Sequence, residues 1–508
     1  MPGRGGHSSL TFLDLDGPGT LTDRLFRAIR AAILEGRVAA GERLPSTRQL
    51  ATDLGLSRKV VASAYADLGD EGYLEGRPGA GTFVGASVPD VRPIRAEPVQ
   101  PERVAPRLRP SRYATRVIDL APWPPPGARG DSPPLPVDFR YGVPALTDFP
   151  QRIWSRLVSR RGQRMSLRSL GYGRTLGLPA LRDAIAGYLA RARGVTTTPD
   201  QIVVVNGSQQ ALDLLARLLI DAGDQVVCEE PGYQGARQVF QAAGAEVRPI
   251  GVDARGLRVA DLPNDRRTRL AYVTPSHQFP LGGVLPLERR LKLLRWASAS
   301  GTYLVEDDYD SEFRYEGKPV AAMQGLDRSG RVIYVGTFSK VLCPAMRLAY
   351  MVVPPALVEP IAALKFLTDY HTPTFEQEVL ADFLVGGHFE RHLRRSRRLN
   401  AARREALLEA SEEHLGDRVE IVGTGAGVHA VMWLRHYHRS QVPAITAEAR
   451  RYGVGLYAVT PYYLRPPARA GLLVGYACLD EREIRQGISV LDRVLHGVRG
   501  SLHRRAPA

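Results

Sequence analysis

Lysine is scarce. Of 68 Lys and Arg residues only five are lysine, at positions 59, 292, 318, 340 and 365, so few side chains can act as amine nucleophiles, because arginine stays protonated. Cysteine is scarcer still: Cys228, Cys343 and Cys478 are odd in number and far apart, which excludes a disulfide framework and a CxxC zinc site. No apolar run reaches the ~18 residues of a membrane span; the best, residues 211–220, is broken by Asp213 and Arg217. The first nine residues are polar and lack the apolar core of a signal peptide. These absences predict a cytoplasmic protein with no membrane partner.

What is present is enough chain for several domains: 508 residues, 44% hydrophobic and 24% charged. The net charge of +15 allows a polyanionic partner without identifying one. Residues 1–84 hold ten basic and ten acidic side chains, so net charge is silent about that segment and the local pattern must speak. The sharpest boundary is proline. Residues 86–136 contain 13 of the 38 prolines, which predicts an extended linker over 86–137, without helix or interior strand.

Ahead of the linker, Leu21 to Glu35 carries Leu25, Ile29, Ala32 and Ile33 at helical spacing. Ser46-Thr-Arg-Gln49 has the form of a capping box, Gly55 suits a helix stop, and Ser57 caps a second helix through Leu68. Two short helices about a tight turn, followed by a Gly-rich hairpin around Arg77-Pro-Gly-Ala-Gly81, form a helix-turn-helix with a wing. The leading end of its second helix carries Arg58 and Lys59, where a recognition helix meets the major groove. Arg43, Ser46, Arg48, Ser57 and the wing glycines Gly79 and Gly81 complete the candidate DNA-contacting set; the pattern alone also fits a three-helix protein-interaction module.

Beyond the linker, β-branched runs at 201–205, 225–228, 270–273, 303–305 and 331–335 alternate with helical stretches. That order predicts an α/β fold with a mainly parallel sheet, with ligands at the carboxyl ends of its strands. Those ends carry Asp307, then Thr337, Ser339 and Lys340 with Arg347 beyond, and the turn Asn206-Gly-Ser-Gln-Gln210 before an apolar helix. Such a turn cradles phosphate. A rare lysine among hydroxyls, an acid and a phosphate turn together suit a Schiff base with an aldehyde cofactor, for which pyridoxal phosphate uses every group named.

The motifs Gly41-Glu-Arg-Leu-Pro-Ser-Thr-Arg-Gln-Leu-Ala51, Glu71-Gly-Tyr-Leu-Glu75 and Gly79-Ala-Gly-Thr-Phe-Val84 resemble the winged helix-turn-helix of GntR-family regulators over residues 18–85. Residues 138–495 resemble fold-type I aminotransferases, with a mainly parallel sheet and a smaller C-terminal α+β subdomain. The combination, with Thr274-Pro-Ser-His-Gln278 and Gly336-Thr-Phe-Ser-Lys340, resembles the MocR subfamily of transcription regulators. That resemblance implies that Lys340 carries the cofactor, Asp307 pairs with its ring nitrogen, Tyr309 lies by its phenolic oxygen and Tyr233 stacks on the ring. It places Gly207, Ser208, Gln209, Thr337 and Arg347 at the phosphate, with Ser339 beside the lysine. It assigns Tyr172 to the other subunit's site in a domain-swapped, head-to-tail homodimer bound to double-stranded operator DNA. His277 or Gln278 would replace the family's asparagine.

Leu473 stands where such aminotransferases carry an arginine for the substrate carboxylate, so either another group holds a small amino compound or pyridoxal phosphate is itself the signal. The competing reading is a working aminotransferase with a DNA-binding appendage. The arginine-rich segment 391–404 reads as a solvated helix face, or else as an auxiliary contact to DNA.

Overall fold

The computed structural model describes residues 10–86, 109–120, 135–317 and 320–503, and the chain divides into two compact units, residues 1–109 and 110–508. In the first, Thr20 and Asp23 exchange hydrogen bonds across the start of α1 (Leu21–Leu34), which buries Leu25, Ile29, Ala32 and Ile33. The helix α2 (Thr47–Asp53) starts where Ser46 Oγ accepts from Gln49 N at 3.2 Å. The reciprocal half of the expected capping box does not form, because Gln49 Nε2 donates to Asp53 Oδ1 one turn ahead, at 2.7 Å. Gly55 makes the turn at φ +65°, a conformation that costs a glycine least. Ser57 then caps α3 (Arg58–Asp70), whose Val61, Ala64, Tyr65 and Leu68 are buried. The antiparallel hairpin β1 (Leu74–Arg77) and β2 (Gly81–Val84) pairs Leu74 with Val84 and Arg77 with Gly81.

The second unit begins inside the stretch expected to be an extended linker. Ser111 Oγ accepts from Ala114 N and starts α4 (Arg112–Asp119). This helix forms in the longest interval free of proline, between Pro110 and Pro122, where nothing removes its backbone donors. Arg116 Nε donates to Ala242 O at 2.8 Å and fastens it. At the far end β3 (Val137–Asp138) pairs in parallel with Val454–Gly455. The rest of the linker lies outside the described residues.

Helices α5 (Gln151–Gly162), α6 (Leu167–Leu170) and α7 (Pro179–Arg193) lead to the large sheet. Its strands are β4 (Ile202–Val205), β5 (Gln225–Glu230), β6 (Glu246–Asp253), β7 (Gly256–Leu257), β8 (Thr268–Val273), β9 (Tyr303–Asp308), β10 (Val332–Thr337) and β11 (Ala349–Val352), and α8 (Ser208–Leu219) follows β4. They lie in the order β4-β11-β10-β9-β8-β5-β6-β7. The pairs β10–β9, β9–β8, β8–β5 and β5–β6 are parallel, and β11 runs antiparallel between β10 and β4. Strand alternation sorts the core: Val203 and Val205 pack with Leu212 and Leu215 of α8, while Ile202 and Val204 pack with Leu181 and Ile185 of α7. Both faces are covered, which is why these strands read as unbroken apolar runs.

A second, antiparallel sheet orders Val419–Val422, His429–His438, Arg469–Gly475 and Tyr457–Ala458 and packs with the helix Glu481–His503. The arginine-rich segment lies on the helix His388–His414, which buries Leu393. Three of its arginines hold the fold: Arg397 donates to Glu312 O, Arg403 to Asp148 Oδ2 at 2.8 Å, and Arg404 pairs with Glu316. Among the described residues no helix is long and apolar enough to cross a membrane.

Candidate functional site

In the N-terminal unit the capping hydroxyls of Ser46 and Ser57 fix where α2 and α3 begin, and so where their first turns point. Arg43, Arg48, Arg58 and Lys59 are exposed, as are Gly79 and Gly81 at the wing tip. Both glycines have positive φ, and a Cβ at Gly81 would meet Arg43 Nε at 3.0 Å. Arg77, which sequence reasoning passed over, is also exposed, on β1, with its guanidinium 4.6 Å from the ring centroid of Phe83.

The second unit holds a cavity of about 750 Å³ at the carboxyl ends of β4, β8, β9 and β10. Nine of the residues singled out from the sequence line it: Ser208, Gln209, Tyr233, Asp307, Tyr309, Thr337, Ser339, Lys340 and Arg347. Lys340 Nζ donates to Gly142 O at 2.6 Å; burial lowers its pKa, against the pull of Asp310 and Asp307. Asp307 ends up wholly inside because it lies on the fully buried part of β9. Tyr272 donates to its Oδ2 at 2.6 Å, and its Oδ1 has no partner. Burial pushes this carboxyl up to about 6, the hydrogen bond from Tyr272 notwithstanding. Neighbouring Asp308 behaves oppositely: burial would raise its pKa, but Arg193, at 2.8 Å, and Tyr334 hold it low.

Gly207 is the residue before α8, at φ +97°, and Arg347 Nη2 donates to Asn206 O at 3.0 Å. A Cβ at Gly207 would fall within the Arg347 guanidinium. The turn, the helix N-terminus and the arginine thus converge, and helix N-termini attract anions. Tyr233 OH donates to Gln209 Oε1 at 3.3 Å on the same side.

Four expectations fall elsewhere. Tyr172 is 86% exposed, 5.6 Å from the ring of Tyr370, and outside its own chain's cavity. Gly207 borders the cavity through Arg347. His277 and Gln278 do not line it. His277 Nδ1 faces Asp310 at 3.0 Å, and Gln278 Nε2 donates to Pro231 O at 2.8 Å, bracing the loop from inside. The side chains that reach the cavity from this loop are Thr274 and Phe279, and the Phe279 N–H donates to Thr274 Oγ1 at 3.0 Å. That hydroxyl donates in turn to Glu229 Oε2 at 2.5 Å, a carboxyl that burial pushes up to about 7. Tyr141, Tyr272, Thr274 and His429 also line the cavity and were missed. The sole signal for Tyr272 was a phenol in an otherwise apolar strand.

The comparisons follow the same division. Residues 21–84 match the family of bacterial regulatory proteins, gntR family, and residues 151–491 match aminotransferase class I and II. The chain is 39% identical over 479 residues to the probable rhizopine catabolism regulatory protein MocR of Rhizobium meliloti, covering 94% of each. It is 32% identical over 470 residues to the pyridoxine biosynthesis transcriptional regulator PdxR of Corynebacterium glutamicum, covering 92% of this chain and 94% of that one. Among solved structures, the kynurenine aminotransferase of Pyrococcus horikoshii, in complex with PMP, superposes with a TM-score of 0.67 at 28% identity, over 77% of this chain and 96% of that one. A gntR-type helix-turn-helix and an aminotransferase domain in one chain, aligned end to end with regulators of the same build, make this protein a member of the MocR-type GntR family of transcription regulators.

Proposed function

We propose that the aminotransferase-like unit holds pyridoxal phosphate and that the ligand state of its cavity governs how the winged helices of a homodimer bind double-stranded operator DNA. The observation that carries this is the convergence of Lys340, the unpartnered Oδ1 of Asp307 and the Gly207–Arg347 turn on one cavity. The donor set suits the cofactor: an amine for its aldehyde, a buried carboxylate for its ring nitrogen, and a cation with a helix N-terminus for its phosphate. Ser208, Gln209 and Thr337 add polar atoms at the phosphate end, Ser339 precedes the lysine, Tyr233 offers a ring face, and Tyr309 offers a phenol. When bound, the cofactor supplies a carbonyl carbon open to primary amines. The protein's part is to keep Lys340 poorly solvated, hence easily deprotonated, and to keep Asp307 ready to take a positive partner.

On the DNA side, Arg58 and Lys59 at the exposed start of α3 meet the groove, with Arg43, Arg48, Ser46, Ser57, Gly79 and Gly81 contacting the backbone. Exposed Leu167, Leu170, Tyr172 and Leu367 supply an apolar surface for the second subunit. The test is footprinting upstream of the protein's own gene with and without pyridoxal phosphate, paired with borohydride trapping at Lys340. A footprint indifferent to the cofactor, or a failure to trap, rejects the proposal.

A further inference from the structure

Building on the proposal that the cavity holds pyridoxal phosphate, we infer that Asp369, outside the cavity, is the positioning residue of the phosphate turn and locks it from behind through an ion pair with the buried Lys365. The inner residues of the turn, Ser208 and Gln209, line the cavity, but its ends, Asn206 and Gln210, do not. Both end side chains donate to one carboxylate oxygen: Asn206 Nδ2 reaches Asp369 Oδ2 at 2.8 Å and Gln210 Nε2 reaches it at 2.7 Å. Gln210 Oε1 in turn accepts from the Asn206 N–H at 2.7 Å, while Arg347 holds the Asn206 carbonyl at 3.0 Å. Gly207, inside the turn at φ +97°, adds no stiffness of its own. The shape of the turn therefore rests on these ties.

A bare carboxylate behind this turn would repel a phosphate in front of it. Lys365, fully buried on the helix Pro355–Asp369, cancels that charge. Its Nζ donates to Asp369 Oδ1 and Oδ2, each at 2.9 Å, and to Thr372 Oγ1 at 3.2 Å. Three acceptors thus take the three donors of an ammonium. The turn gains two hydrogen bonds to an ionised acceptor, stronger than neutral ones, with no net charge placed behind the ligand.

The backbone beside Asp369 carries a matching sign of constraint. The helix stops at Tyr370, which takes φ +60° and ψ −62°, and the His371 N–H donates to Asp369 O at 2.6 Å. This is a γ-turn of the strained hand, a conformation that persists only where the surroundings enforce it. Lys365 enforces it by gripping both sides of Tyr370, at Asp369 and at Thr372. Thr372 Oγ1 then donates to Val204 O at 3.3 Å, two residues before Asn206. The end of this helix and the end of β4 are fastened to each other at two points, and the phosphate turn leaves from the second.

Absorbance titration of the full-length, cofactor-free protein tests this with two aldehydes: pyridoxal phosphate, and pyridoxal, which has the same ring and aldehyde but no phosphate. Lys365→Met combined with Asp369→Leu removes the ties and leaves no unpaired charge. It should weaken pyridoxal phosphate about tenfold or more and leave pyridoxal within about twofold of wild type. Lys365→Met combined with Asp369→Asn keeps an acceptor for the turn amides and should recover pyridoxal phosphate affinity to within about threefold. Should the leucine variant not fold, Gln210→Leu keeps the ion pair and cuts two ties of the turn; it should cost pyridoxal phosphate about threefold or more and spare pyridoxal. Unchanged affinity for pyridoxal phosphate, equal losses for both aldehydes, or no recovery with asparagine overturns the inference, while the visible band of the wild type leaves the cofactor proposal standing. Absence of that band from the wild type overturns both.

Discussion

Arg347 Nη2 and the carbonyl oxygen of Asn206 are joined at 3.0 Å, so the cation that follows the lysine loop closes over the turn that opens α8. The contact exists because Gly207 has no side chain: a Cβ there would occupy the guanidinium's place, and its φ of +97° is strained for any other residue. Gly207→Ala should therefore weaken pyridoxal phosphate binding at least tenfold, about 1.4 kcal/mol, in an absorbance titration. An unchanged affinity would remove the turn from the phosphate site.

Lys340→Ala should abolish the visible band and borohydride trapping. It should leave thermal unfolding of the cofactor-free protein close to wild type, because the one hydrogen bond lost, to Gly142, is worth about 1 kcal/mol. Trapping that persists at another lysine would sink the assignment.

Asp307 links the cavity to pH. Burial raises its carboxyl from an ordinary 3.8 to about 6. Above about pH 4 the unfolded chain releases this proton while the native chain keeps it, so the cofactor-free protein loses stability as pH rises toward 6. The loss should level off above 6 after about 3 kcal/mol. Urea unfolding of wild type against Asp307→Asn isolates that contribution, since the amide cannot titrate; parallel curves would contradict it.

Arg58 is exposed at the first turn of α3. Arg58→Ala should cut operator affinity by roughly tenfold or more if it reads a base. A backbone role would instead lower the slope of log affinity against log salt by about 0.9. The cofactor spectrum should be unaffected in both cases. Gel-shift titrations at several salt concentrations distinguish the two, and an unaltered complex would exclude this helix end from the interface.

What could be read in advance was whatever local chemistry dictates. The caps at Ser46 and Ser57, the apolar face of α1 and the unbroken strands follow from spacing along the chain, and Lys340 stood out because lysine is rare. The misreadings share a different cause. Whether His277, Gln278 or Phe279 faces the cavity depends on how the loop after β8 is tied down. Those ties run to Glu229, Pro231 and Asp310, distant in sequence. Tyr272 and Thr274 likewise acquire meaning only beside Asp307 and Glu229, which no periodicity encodes.

The anchoring of α4 has a consequence for reach. With Arg116 hydrogen-bonded to Ala242, the chain that joins Ala86 to the second unit's first fixed element ends at Ser111 rather than at Val137. Covalent geometry then caps the separation of its ends at about 90 Å, whatever path the chain takes. That limit is half of what the full span from Ala86 to Val137 would allow.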